Sequence, residues 1–98
     1  MSVSLASVPT ASASRYLQQL AKHWSHKMDV TFSAQEGVIA FPNGCRLDLR
    51  ASATALDIAL AVPDGEDVAR MRDVVARHLD RFAFREAPLT FDWHAAGG

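Results

Sequence analysis

Few side chains in this 98-residue chain can do chemistry near neutral pH. There are four histidines and one cysteine, Cys45. His23 sits in "SRYLQQLAKHWSHKM" and His78 opens "HLDRFAFREAPLTFDWH". Imidazole titrates near neutral pH and ligates metals. Each histidine is therefore either an acid–base or metal-binding group, or one satisfied by nearby backbone or carboxylate. Residues three and four apart stack on a helix surface, so Tyr16, Leu20, His23 and Lys27 form one row along the first of these stretches. His78 falls between Met71 and Phe82 on the core side of a second helical stretch. If two helices lie side by side on one sheet face, His23 and His78 approach each other. Arg81 and Arg85 lie one turn apart, a spacing that lets two guanidinium groups meet one carboxylate or phosphate. Their alternative is local pairing with Glu86 or Asp92 and with the helix dipole.

This pattern nominates Tyr16, His23, His78 and Arg85 as the lining of a groove at the helix–sheet edge that accepts an anion. His23 and His78 are also the candidate metal ligands. Zinc needs three or four ligands, and only His94, Cys45, Asp92 and Glu86 stand as unplaced extras. Cys45 begins an inward-facing set with Leu47 and Leu49 and has no general base beside it, so it reads as a small core residue. The sequence contains no glycine-rich phosphate loop, CxxC pair, HExxH or nucleophile elbow. No catalytic residue and no cofactor is assigned.

The elements that must position these residues follow from periodicity. "SVSLASV" alternates, Val3 and Leu5 to one side and Ser2, Ser4 and Ala6 to the other. Thr10, Ser12 and Ser14 offer N-cap side chains for a helix over 14–28. Its buried stripe is Leu17, Leu20, Ala21, Trp24 and Met28, with His26 opposite. From Asp29 the period changes to two: "VTF", "VIAF", "CRLDLRA" and "ALDIALAV" alternate, with turns at "QEG" and "FPNG". Leu47, Leu49, Leu56, Ile58, Leu60 and Val62 face inward; Arg46, Asp48, Arg50 and Asp57 face outward. Asp64 is the expected cap of a second helix whose stripe is Val68, Met71, Val75, Leu79 and Phe82. Pro88 breaks it, and "LTFDW" reads as a last strand with Leu89, Phe91 and Trp93 inward. Residues 95–98 are expected to fray.

The expected architecture is α+β: a two-layer sandwich in the order β-α-β-β-β-α-β, with a mainly antiparallel sheet and two helices on one face. The polar sheet face is either solvated or covered by a second copy. A chain of 98 residues makes one domain, 1–98. Its formal net charge of -1 argues against nucleic acid, which needs a basic face. A lone cysteine closes no internal disulfide. No apolar run is long enough to span a bilayer. "MSVSLASVPTASAS" has no early Lys or Arg and is interrupted by Ser4, Ser7 and Pro9, so it reads as mature sequence. A cytoplasmic location is the expectation. A domain this small gains stability by pairing, and a homodimer is expected.

At "SRYLQQLAKHWSHK" and "HLDRFAFREAPLTFDW", with the "FPNG" turn, the chain resembles a family of small bacterial proteins of unknown function. The matching positions are Tyr16, Leu17, Leu20, His23, Trp24, His78, Leu79, Arg81, Phe82, Phe84, Arg85 and Trp93. The resemblance carries no activity with it. It implies an association with siderophore-interacting and iron-uptake proteins, and hence such a protein as a partner. Together these features favour a non-enzymatic accessory or interaction domain. The competing expectation is a small-molecule or metal-binding domain built on the His/Arg/Tyr groove.

Overall fold

The alternating stretches between Asp29 and Val62 fold as an antiparallel meander. In the computed structural model, which describes residues 1–96, these strands are β2 (Asp29–Phe32), β3 (Glu36–Ala40), β4 (Arg46–Ala51) and β5 (Ala55–Val62). Four strands lie between the helices where the sequence led us to expect three, because "VTF" pairs with β3 as a strand of its own. The turn after β3 is closed by Gly44 at φ +90°, with the Asn43 side chain accepting from Cys45 N–H at 3.0 Å. Only a residue free of Cβ adopts that backbone region at little cost.

The first strand, β1 (Ser2–Pro9), returns to pair with β5, and a short β6 (His94–Ala95) pairs with β1. The sheet order is β2-β3-β4-β5-β1-β6, with every neighbour antiparallel. The helices α1 (Ala13–Trp24) and α2 (Val68–Phe82) lie together on one face. This is the expected two-layer α+β sandwich. No helix among the described residues is long and apolar enough to cross a membrane.

One core lies between the layers. Leu47, Leu49, Ile58, Leu60 and Ile39 rise from the sheet to meet Leu17, Leu20, Trp24, Val75 and Leu79 from the helices. Phe82 is only half-buried, at the margin. Cys45 is buried in this core, and burial pushes its thiol above the ordinary range, so it is an inert packing group.

The structure departs from the periodicity at both ends of the chain. In β1 the side turned to the helices is Ser4, Ala6 and Val8; Val3 and Leu5 face outward. The register decides this, since Ser4, Ala6 and Val8 pair with the inward Leu60, Ile58 and Leu56. Buried Ser4 is satisfied by Arg72, whose Nε donates to its Oγ at 2.9 Å. The expected strand over 89–93 does not form. Leu89 N–H donates to the Asp80 carboxylate at 2.8 Å, and Asp92 takes a φ of +26°, which breaks the extended run. Phe91 and Trp93 nonetheless pack on the core, stacked on each other at 5.8 Å.

Ala95, expected to fray, pairs with Ser4 instead; residues 97–98 of that expected tail lie outside the described residues. The first helix ends at Trp24, four residues early. The second is capped by Asp67, which accepts from Arg70 N–H, and not by Asp64. Asp64 instead meets the N-terminal ammonium at 2.8 Å.

Candidate functional site

The two helices run in opposite directions, so the C-terminal end of α1 meets the second half of α2. His23, next to last in α1, lies 5.6 Å from His78, centroid to centroid. His78 packs on buried Trp24 at 4.9 Å, and Trp24 in turn meets Phe41 edge-on. His23 stands edge-on to Phe82 at 5.8 Å.

His78 Nδ1 lies 2.7 Å from the Val74 carbonyl oxygen, an acceptor only, so Nδ1–H donates. That bond fixes the ring and leaves Nε2 as its free nitrogen. His78 lines a surface depression of about 220 Å³ with Arg77 and Arg81. These lie one residue before it and three after, which on a helix puts all three on one flank. Arg77 also pairs with Asp73 at 2.9 Å on the exposed surface.

The charged groups that act on His23 are all cationic. His23 is held below the ordinary histidine range, first by desolvation where its ring packs, then by the positive charges of His78, Lys27, Arg81 and His26. A field built from ammonium and guanidinium groups favours an anion over a metal cation. Two imidazoles also supply fewer ligands than zinc requires. Among the described residues no three of His, Cys, Asp or Glu gather where a metal could be held.

The other two nominated residues lie elsewhere. Tyr16 is buried, and its hydroxyl donates to the Glu86 carboxylate, as does Thr10 Oγ1 at 3.0 Å. This bond, with burial, raises the Tyr16 phenol above its ordinary value. Glu86 is thereby committed as a structural acceptor. Arg85 is exposed, with its guanidinium 5.8 Å from the Phe84 ring. The reason is that α2 stops at Phe82, so Arg81 and Arg85 do not share a helical row. The partner of Arg81 at His78 is Arg77. An i, i+1, i+4 set of Arg77, His78 and Arg81 was visible in the sequence, but any helix end rich in arginine carries such sets.

Of the proposed extra ligands, Cys45 is in the core, His94 is in β6 and Asp92 lies in the segment leading to it. The histidine pair and its arginines thus stand on the helix layer, while Tyr16 and Glu86 tie α1 to the segment that follows α2, one turn or more away.

Residues 5–94 match the family described as an uncharacterized protein conserved in bacteria, DUF2218. The chain belongs to this family. The NMR structure of PA4090 from Pseudomonas aeruginosa is similar to the DUF2218 chain described here: 36% of residues are identical, 96% of each chain is covered, and the TM-score is 0.78. No curated protein matches it. The DUF2218 match spans both helices, so the histidine pair and the Tyr16–Glu86 tie fall within the matched residues.

Proposed function

We propose that this DUF2218 chain is a non-enzymatic accessory domain that holds a small anion at the junction of its two helices. The observation that carries this reading is the convergence of His23 and His78, 5.6 Å apart, beside a depression lined by Arg77 and Arg81. Imidazolium, in which the free Nε2 of His78 also carries a proton, and guanidinium groups are charge-assisted donors to carboxylate or phosphate oxygens. We further propose, as the setting, an accessory role in siderophore or iron uptake, in the cytoplasm, beside a siderophore-interacting protein. Calorimetric titration of the purified pair tests that association.

The anion site is tested with inorganic phosphate and citrate as probes, followed through the ring signals of His23 and His78 by NMR. Saturable shifts centred on these two residues are expected, with Arg81→Ala weakening binding about tenfold, the equivalent of one charge-assisted bond. Shifts that do not saturate, or that centre on another surface, would refute the site. Binding should tighten as pH falls from 7, because an anion favours the charged form of His23.

The same histidine sets a stability expectation. Between its lowered value and the ordinary 6.5, the unfolded chain binds more protons than the folded one at this residue. Stability therefore falls as pH drops through that window. His23→Gln is expected to flatten this acid-side loss in urea titrations run at stepped pH. Superimposable profiles for the two proteins would contradict the assignment.

A further inference from the structure

Among the described residues, nothing covers the outer face of the sheet. All the helix contacts lie on one side of the sheet, and the other side presents a shallow concavity of about 420 Å³. Its floor is Leu5, Val38 and Ala59, and its rim is Asp48, Arg50 and Asp57. Strand pairing lays this face out as three rows that cross the sheet. One row is Glu36, Arg50, Asp57 and Ser7; the next is Val38, Asp48, Ala59 and Leu5; the third is Ala40, Arg46, Ala61 and Val3.

We propose that this face is covered by a second copy of the chain, packed sheet to sheet about a twofold axis that runs parallel to the strands, midway between β4 and β5. Such an axis keeps each row at its own level and exchanges the two halves of the sheet. β4 then lies over the partner's β5, and β3 over the partner's β1. Arg50, which also pairs with Glu36 of its own chain at 3.0 Å, meets the partner's Asp57, and Asp57, which accepts from Ser7 Oγ of its own chain, meets the partner's Arg50, so two ion pairs form at one level. In the next row Val38 meets the partner's Leu5, and Asp48, held by Arg46 at 3.1 Å, meets the small partner's Ala59. In the third, Ala40 meets the partner's Val3, an exposed hydrophobic of this face. No like charges oppose each other at the centre.

A twofold interface must be self-complementary in this way. Two sheets in face-to-face packing lie about 10 Å apart with strands within roughly 30°, which preserves this register at the middle strands. The area is sufficient. At about 16 Å² of sheet per strand residue the face measures roughly 500–550 Å² in plan, and side-chain relief brings its accessible area toward the ~800 Å² per partner of a standard interface.

The test is sedimentation equilibrium of the full chain at micromolar concentration, with the fold of every variant checked by circular dichroism. The expected species is a dimer, twice the 10.7 kDa of one chain. Asp57→Arg sets four arginines against one another and is expected to weaken the dimer at least about tenfold, since like charges across an interface cost several kcal/mol. The double swap Arg50→Asp with Asp57→Arg, made together with Glu36→Gln so that the new carboxylate does not face Glu36 of its own chain, is expected to restore it. Ala59→Glu, which fills the concavity and sets a carboxylate against the partner's Asp48 without touching the Arg50–Asp57 pairs, is expected to dissociate the dimer and decides the matter should Asp57→Arg fail to fold. A wild-type protein that stays monomeric overturns the proposal. So does a dimer indifferent to Ala59→Glu, or a double swap that fails to recover.

Discussion

Leu20→Ala is expected to lower the unfolding free energy by about 2–5 kcal/mol. Leu20 is completely buried on the inward stripe of α1, in the one cluster that also holds Leu47, Leu60, Val75 and Leu79. Truncation removes the transfer free energy of the lost carbons and leaves a cavity that the surrounding sheet and helix close only in part. A domain of this size holds about 5–15 kcal/mol in total. The variant therefore loses a large share of its stability, and its melting temperature should drop by on the order of 10–30 °C. Urea titration would show a lower midpoint with an unchanged slope. A loss under ~1 kcal/mol would mean that the helix layer does not seal the core at this position.

Glu86→Ala is expected to cost about 1–3 kcal/mol, although Glu86 itself is exposed. Its carboxylate accepts from two hydroxyls that are both buried, Tyr16 at 4% and Thr10 at 6% exposure. Removing the acceptor leaves these donors without their partner inside the protein, and water reaches them only in part. Tyr16→Phe removes one donor along with its need for an acceptor. The double variant Tyr16→Phe with Glu86→Ala should therefore cost less than the two single changes together. A spectroscopic pH titration gives an independent reading. The Tyr16 phenol, raised above 10.0 in the wild type, should move back toward that value in Glu86→Ala. Additive stability losses and an unmoved phenol would show that the tie carries no coupling.

These residues also mark where the sequence stopped being readable. Tyr16 and Arg85 seemed to belong with His23 and His78 because helical spacing alone aligns them. Yet α2 ends at Phe82, and Arg85 leaves the row. Tyr16 is drawn to Glu86, seventy residues away in the chain, and no local pattern announces a bond of that separation. The cap of α2 was misplaced by three residues because "PDGED" holds several equivalent carboxylates, and the one used depends on how α2 sits on the sheet.

The sequence alone determined the two amphipathic helices, the alternating strands from Asp29 to Val62 and the two-layer class, because 3.6- and 2-residue periods are local consequences of backbone geometry and burial. The DUF2218 motifs were likewise in the residues themselves. Tertiary structure decided the rest. It inserted β1 between β5 and β6 and turned Ser4, Ala6 and Val8 inward, since the register of a distant partner strand sets which face is buried. It brought His23 to 5.6 Å from His78, fifty-five positions away in the chain, through the antiparallel packing of the two helices. Among the described residues it also left one face of the sheet uncovered, a property that belongs to the assembled layers and to no single strand.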